Sequence, residues 1–96
     1  MKYYFISSLV KVEVFFHIKK ENNMNEKEVL KIFGENVRNQ REKENISLKE
    51  LSEITKIREQ YLAKIENGEG RGMTLSCVFK IAEGLKTKPH KLCENI

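Results

Sequence analysis

The sequence lacks several features on which catalytic and metal-binding proteins depend. It has no tryptophan, one proline, two cysteines and two histidines in 96 residues. Cys77 and Cys93 do not have the spacing of a zinc site, and no histidine is suitably placed beside them. We therefore expect two reduced thiols, no metal site and no cofactor.

Two further absences narrow the function. No motif pairs a nucleophile with a base, and the stretch GEGRG at 68–72 follows a predicted helix, whereas a phosphate-binding loop opens one. We therefore expect no enzyme activity. The chain also lacks the run of about 18 apolar residues that crosses a bilayer. Lys11 and Glu13 interrupt its apolar N-terminal stretch, and no small-residue cleavage site follows, so we expect a cytoplasmic protein.

What is present is the composition of one small soluble domain, with 40% hydrophobic and 33% charged residues and a net charge of +4. Residues 1–23 hold four of the 18 basic and two of the 14 acidic side chains, so they contribute +2 and residues 24–96 the other +2. This weak bias permits a nucleic-acid partner without demanding one. A DNA-binding role must therefore rest on where the charges are placed.

Residues 1–23 form an extension whose pattern differs from that of the domain at 24–96. Apolar side chains alternate over 9–18, which predicts a β-strand, or a hairpin with the apolar run at 3–6. Two interpretations stay open. The strand pairs with its twin and helps to form a dimer, because so apolar an edge needs a partner, or the extension is a mispredicted start and Met24 begins the protein.

From Asn25 onward the apolar period is helical, which predicts an all-α bundle. Asn25 is a good N-cap, Ser47 and Glu50 form a capping box, Thr74 can cap the fourth helix, and Gly68 is a natural helix terminator. Leu48, Leu51 and Ile54 are expected to form the inner stripe of the second helix. The predicted helices span about 25–44, 48–55, 58–67 and 74–85, with a short fifth one beginning near 89.

The third predicted helix has two different faces. Tyr61, Leu62 and Ile65 cluster on one side at 100° per residue. The opposite side is short and polar, and its side chains are of the kinds that read base edges in a major groove. It consists of Gln60, Ala63, Lys64 and Asn67, with Glu59 at its edge. Taken alone, such a face is most often an ordinary solvated surface.

The stretch GENVRNQREKENISLKELSEITKIREQYLAKIENGEG at 34–70 changes that weighing. It resembles the Cro/phage-repressor type of helix-turn-helix domain, often called XRE-like, and the likeness extends over about residues 29–93. The pieces that match in order and spacing are Gly34, Val37, Arg41, Ile46–Ser47, Leu51, Ile57, Ile65–Gly68 and the tail from Ile81 to Leu92. The resemblance implies a compact five-helix bundle whose third helix lies in the major groove, braced by the second.

The resemblance also implies a function and a set of contacts. The function is sequence-specific binding of double-stranded DNA by a regulator of transcription, above all a repressor, acting as a homodimer on a palindromic operator. The expected base-reading residues are Arg58, Glu59, Gln60 and Lys64. Those expected beside phosphates are Ser47, Lys56, Ala63, Asn67 and Arg71, together with the backbone amides of 69–71. Arg41 and Glu66 are expected to form a structural ion pair.

Some positions depart from the family pattern. Leu48 stands where relatives often have glutamine, Arg58 replaces the usual Ser/Thr cap and Met73 replaces a loop proline. Lys56 replaces the usual turn glycine, so a left-handed backbone there would be strained. Leu48 and Glu59 favour an alternative function: a protein-interaction module that kept the fold and lost specific DNA binding, or an antitoxin-type regulator that binds a protein partner.

Overall fold

The computed structural model describes residues 25–96, and within them all the regular secondary structure is helical. It forms four α-helices and one 3₁₀ helix: α1 (Glu26–Lys43), α2 (Leu48–Thr55), α3 (Glu59–Glu66), α4 (Leu75–Gly84) and the 3₁₀ helix Pro89–Cys93. The predicted all-α class is confirmed for these residues. The predicted strand at the N-terminus lies outside them.

The predicted count of five α-helices is wrong, because the last element is the 3₁₀ helix. It has only five residues and begins with Pro89, which carries no N–H to donate. The amide of Lys91 instead reaches back three residues to the carbonyl of Lys88, at 2.9 Å. Segments this short commonly keep the tighter 3₁₀ winding, which still brings Leu92 into the core.

Side-chain caps fix where three of the helices begin. The side chain of Asn25 accepts from the amide of Glu28 at 2.8 Å, and Ser47 accepts from that of Glu50 at 3.0 Å. Thr74 accepts from the amide of Cys77 at 3.2 Å. Each bond satisfies a backbone donor that the first helical turn leaves without a partner. These starts are local properties of the sequence, and each lies where the sequence predicts it.

One core joins all five elements. Its largest fully buried side chains are Phe33, Leu51, Leu62, Ile65, Ile81, Leu85, Leu92 and Ile96. The expectation that Ile54 belongs to the inner stripe of α2 is wrong. Ile54 is 55% exposed, and the neighbouring Thr55 is buried in its place. The hydroxyl of Thr55 donates to the carbonyl of Leu51 at 2.8 Å, which makes a buried polar side chain tolerable there.

Gly34 sets the position of α3 on α1. A β-carbon at Gly34 would overlap the carbonyl oxygen of Ile65 and lie 2.7 Å from that of Glu66. The C-terminal end of α3 therefore packs directly on the backbone of α1, which only glycine permits. This contact sets how closely the C-terminal end of α3 lies on α1.

Three simple observations bound the chemistry of the described residues. None of their helices is long and apolar enough to span a membrane. No three of their His, Cys, Asp or Glu side chains come together as a metal site. Both cysteines are free, and burial raises the pKa of Cys93 to about 12 and that of Cys77 above its ordinary value, so both are protonated thiols at neutral pH.

Candidate nucleic-acid interface

The outer face of α3 carries the polar side chains that the sequence places there. Glu59, Gln60, Lys64 and Asn67 are exposed and Ala63 is half-buried, whereas Leu62, Ile65 and Glu66 face the interior. Within residues 25–96, the side chains of Arg58, Gln60 and Lys64 form no hydrogen bond or ion pair. Their hydrogen-bonding groups point to solvent, where a partner surface can engage them.

The N-terminal end of α3 has no side-chain cap. Arg58 occupies the N-cap position and makes no capping bond, so no side-chain cap accepts from the first backbone N–H groups of the helix. These amides carry the positive end of the helix dipole, and the guanidinium of Arg58 adds a full charge beside them. The combination suits an anionic or electron-rich partner such as a phosphate or the acceptor edge of a guanine.

The turn between α2 and α3 is tight and bonded by two hydroxyls. Lys56 has φ 63°, in the left-handed region that the usual glycine of this turn would favour. The hydroxyl of Ser52 donates to the carbonyl of Ile57 at 2.6 Å, and the amide of Ile57 donates to the hydroxyl of Thr55 at 3.3 Å. Sequence reasoning did not identify these two hydroxyls. Their signal was present, because short polar side chains beside a turn commonly bond its backbone.

At the other end of α3, Glu66 is held from two sides. Its side chain is 2% exposed and accepts from Arg41 Nε at 2.6 Å and Arg41 Nη2 at 3.1 Å. Arg38 Nε donates to the same carboxylate at 3.3 Å. The hydrogen bond to Glu66 raises the pKa of Arg41 above its ordinary value. Two guanidinium groups thus compensate a carboxylate that would otherwise be buried alone.

Arg38 also reaches the expected DNA surface, a role that sequence reasoning missed. Its Nη2 donates to Asn67 Oδ1 at 2.8 Å, just beyond the end of α3. The carbonyl end of the Asn67 amide therefore faces the protein, and its NH₂ end remains as a donor for a phosphate. The signal was the spacing of Arg38 and Arg41, which places both on one face of α1.

The other residues expected beside phosphates are arranged less uniformly. The Ser47 oxygen accepts within its capping box, so its hydroxyl hydrogen is left to donate. The side chain of Arg71 is 84% exposed and lies 3.8 Å from Glu26, a distance typical of a weak surface pair. The amide of Glu69 donates to the carbonyl of Lys64 at 2.8 Å, so it is not open to a phosphate as expected.

An open depression lies where α2 meets the N-terminal half of α3. Its lining consists of Leu48, Arg58, Glu59, Gln60 and Ala63. The structure therefore brings three of the four expected base-reading residues to one concave surface, and Lys64 lies outside that lining. From the sequence, Leu48 was expected in the inner stripe of α2 and was noted as a departure from the family pattern, yet it forms part of the same surface.

Comparisons with known proteins agree with this geometry. A helix-turn-helix family model matches residues 37–92, which include α2, the turn and α3. The control protein C.SmaI of Serratia marcescens is 35% identical over 65 residues, which cover 68% of this chain and 76% of that protein. The crystal structure of the restriction-modification controller protein C.AhdI from Aeromonas hydrophila matches with a TM-score of 0.62 at 27% identity, over 66% of this chain and 94% of that one.

Proposed function

Because this chain belongs to the helix-turn-helix family, we propose that it is a sequence-specific DNA-binding regulator of transcription whose α3 enters the major groove. One observation carries the proposal. α3 is fixed on its inner side by the core and by Glu66, while the outer side chains of Gln60 and Lys64 have no partner among the described residues. A helix of eight residues with this division is suited to reading base edges.

Arg58, Glu59, Gln60 and Lys64 are the proposed base-reading residues. Gln60 can bond an adenine edge, Lys64 and Arg58 can bond guanine, and Glu59 can accept from a cytosine amino group. On either side of them, Ser47 and Lys56 at α2, and Asn67 and Arg71 after α3, are the proposed phosphate contacts. Ala63 was also expected on the phosphate side; its side chain has no donor for a phosphate, so we propose only that it lets the duplex approach closely. Phosphate contacts at both ends of α3 would fix its register on the duplex.

The two controller proteins support a narrower role. This chain covers 76% of C.SmaI and 94% of C.AhdI, so the likeness spans most of each protein. We propose that this chain likewise controls the genes of a restriction-modification system. It would bind a palindromic operator as a homodimer, with half-sites about one helical turn apart. Repression is the proposed effect, because a dimer that occupies an operator excludes other proteins from it.

Selection from a random duplex library tests this function, with the full chain and residues 24–96 used in parallel at physiological salt. We expect an enriched palindrome whose affinity falls steeply with salt, as phosphate contacts require. A difference between the two proteins would assign a role to residues 1–23. No enrichment by either protein would contradict the proposal and favour the protein-interaction module.

Two substitutions then separate base contacts from phosphate contacts. Gln60→Ala should lose about 1–3 kcal/mol of discrimination at one operator position. Lys56→Ala should weaken binding by a similar factor on every sequence and reduce the salt dependence. If Gln60→Ala instead weakens all sequences equally, Gln60 is not a base-reading residue.

A further inference from the structure

The depression between α2 and α3 contains an apolar side chain that the proposed DNA contacts do not use. Leu48 is the first residue of α2 and packs against the core while remaining half-buried. Its position is therefore fixed by packing, and part of it lines the depression beside Arg58, Glu59 and Gln60. A duplex read by those three residues must also cover Leu48.

The chemistry of a base edge restricts what Leu48 can contact. Leu48 and Ala63 are the two apolar members of the lining, and neither side chain offers a donor or an acceptor. A polar base edge or a phosphate pressed against them would lose water without gaining a hydrogen bond, which is unfavourable. The major groove presents one apolar group, the 5-methyl group of thymine.

We propose that Leu48 and Ala63 contact the 5-methyl group of one thymine in each operator half-site, an inference that rests on the proposed function. This contact makes Leu48 a specificity-determining residue. The polar side chains around the depression read the neighbouring hydrogen-bonding edges, and Leu48 reads the methyl group. Where relatives often have glutamine, this chain would then gain a methyl contact, and DNA binding is retained.

The size of the effect follows from the area of one methyl group. Burying a methyl or methylene group changes a binding constant about fourfold at room temperature. A dimer that contacts one thymine in each half-site should therefore lose about 15-fold when both methyl groups are removed, since the two contacts are independent. Both changes are well within the range of a competition or anisotropy titration.

Uracil substitution in the selected operator is the direct test, because uracil differs from thymine only by the missing methyl group. Each thymine is replaced in turn, and binding of the full chain is titrated at constant salt. We expect one symmetric position at which uracil weakens binding by about fourfold per half-site. At every other thymine the change should be close to none.

Variants then assign the methyl contact to Leu48. Leu48→Gln should bind the thymine and uracil operators almost equally. Ile54→Gln is the matched control, because Ile54 is an exposed apolar residue of the same helix that does not line the depression. It should keep the full discrimination. Helix content and melting temperature are measured for each variant, and Ala63→Ser, at a half-buried position, replaces Leu48→Gln if that protein does not fold.

The outcomes separate this inference from the function on which it rests. If the operator is bound selectively but uracil changes nothing at any position, the methyl contact is overturned and the regulator remains. An equal loss with uracil in the unmodified protein, Leu48→Gln and Ala63→Ser also overturns it, because another residue then makes the contact. If no sequence is bound selectively, both proposals fail.

Discussion

The two ends of α3 are held in opposite ways. At the C-terminal end, the carboxylate of Glu66 is buried and bonded by two arginines of α1, and the backbone rests on Gly34. At the N-terminal end, Arg58 makes no capping bond, and Lys56 holds a left-handed conformation that lysine does not favour. The C-terminal end is the fixed end of α3, because its buried carboxylate is paired. The N-terminal end is the open end, because it keeps unpaired amide donors and a strained backbone.

This difference shows how a short helix can be both fixed and open to a partner. Eight residues are too few for a stable isolated helix, so the orientation of α3 depends on contacts with α1 and the core. The bonds at Glu66 supply that orientation. The missing cap at Arg58 leaves amide donors and charge at the end that lines the depression. Buried ion pairs are therefore concentrated at one end of α3 and unpaired donors at the other, so we expect substitutions at the two ends to differ in their effects on stability and binding.

Arg41→Ala should have the largest effect on the fixed end. It removes two of the bonds to the buried carboxylate of Glu66 and leaves that charge with Arg38 alone. Breaking a buried pair in this way should lower the free energy of unfolding by about 3 kcal/mol or more. Urea unfolding followed by circular dichroism measures the loss.

Arg38→Ala is the matched control, because Arg38 is more exposed and lies 3.3 Å from the same carboxylate. We expect it to lose about 1 kcal/mol, as for a partly exposed pair. It should nevertheless weaken DNA binding, since Asn67 would lose the partner that orients its amide. Equal losses of stability in the two variants would contradict the unequal roles of the two arginines.

Gly34→Ala should cause the next largest loss in the free energy of unfolding. The new β-carbon would overlap the Ile65 carbonyl oxygen, so α1 and α3 must separate. We expect a net loss of about 2 kcal/mol, because overpacking outweighs the better helix propensity of alanine. At Gly84, the other helical glycine to compare, a β-carbon would lie 2.9 Å from Thr55 Cγ2 and 3.1 Å from Leu51 Cδ1, so side chains but no backbone must shift. Gly84→Ala should therefore lose less than Gly34→Ala in the same unfolding experiment, and a loss at Gly84 equal to that at Gly34 would count against this account.

The sequence predicted the parts of the fold that depend on neighbouring residues. Asn25, Ser47 and Thr74 cap helices where expected, because a cap requires only one side chain and the next three amides. The polar outer face of α3 was likewise readable from its period. The exposure of Ile54 could not be predicted in this way. An eight-residue helix can rotate to bury Thr55, because the Thr55 hydroxyl donates to a carbonyl one turn earlier in the same helix.

The parts that sequence reasoning missed depend on residues brought together from distant positions. Arg38 and Asn67 are separated by 29 positions and meet only because α3 lies across α1. Leu48 comes beside the proposed base-reading residues only once the α2–α3 turn has closed. The family resemblance supplied the expected roles of residues such as Lys64 and Asn67. It supplied no role for Leu48, where this chain departs from the pattern.

Arg58→Ser should sharpen the contrast at the open end. Serine is a preferred N-cap and would bond an amide of the first turn, which should raise the free energy of unfolding by about 1 kcal/mol. The same change removes a positive charge and occupies a donor, so operator binding should weaken and its salt dependence should fall. Thermal melting and a salt titration measure the two effects. A variant that gains stability without losing affinity would show that the uncapped end has no part in recognition.

Lys56→Gly should have the smallest effect on stability and gives the clearest separation of the two ends. Glycine relieves the left-handed strain at φ 63°, but it also makes the unfolded chain more flexible, so we expect a net gain of about 0.5 kcal/mol. Lys86 provides the matched control, because it is a lysine that follows α4 with φ 57° and has no proposed DNA contact. Lys86→Gly should gain the same stability and leave operator affinity unchanged, whereas Lys56→Gly should bind more weakly on all sequences. If both variants bind the operator equally well, Lys56 makes no contact with a phosphate, and the strained backbone at the N-terminal end of α3 has no function in recognition.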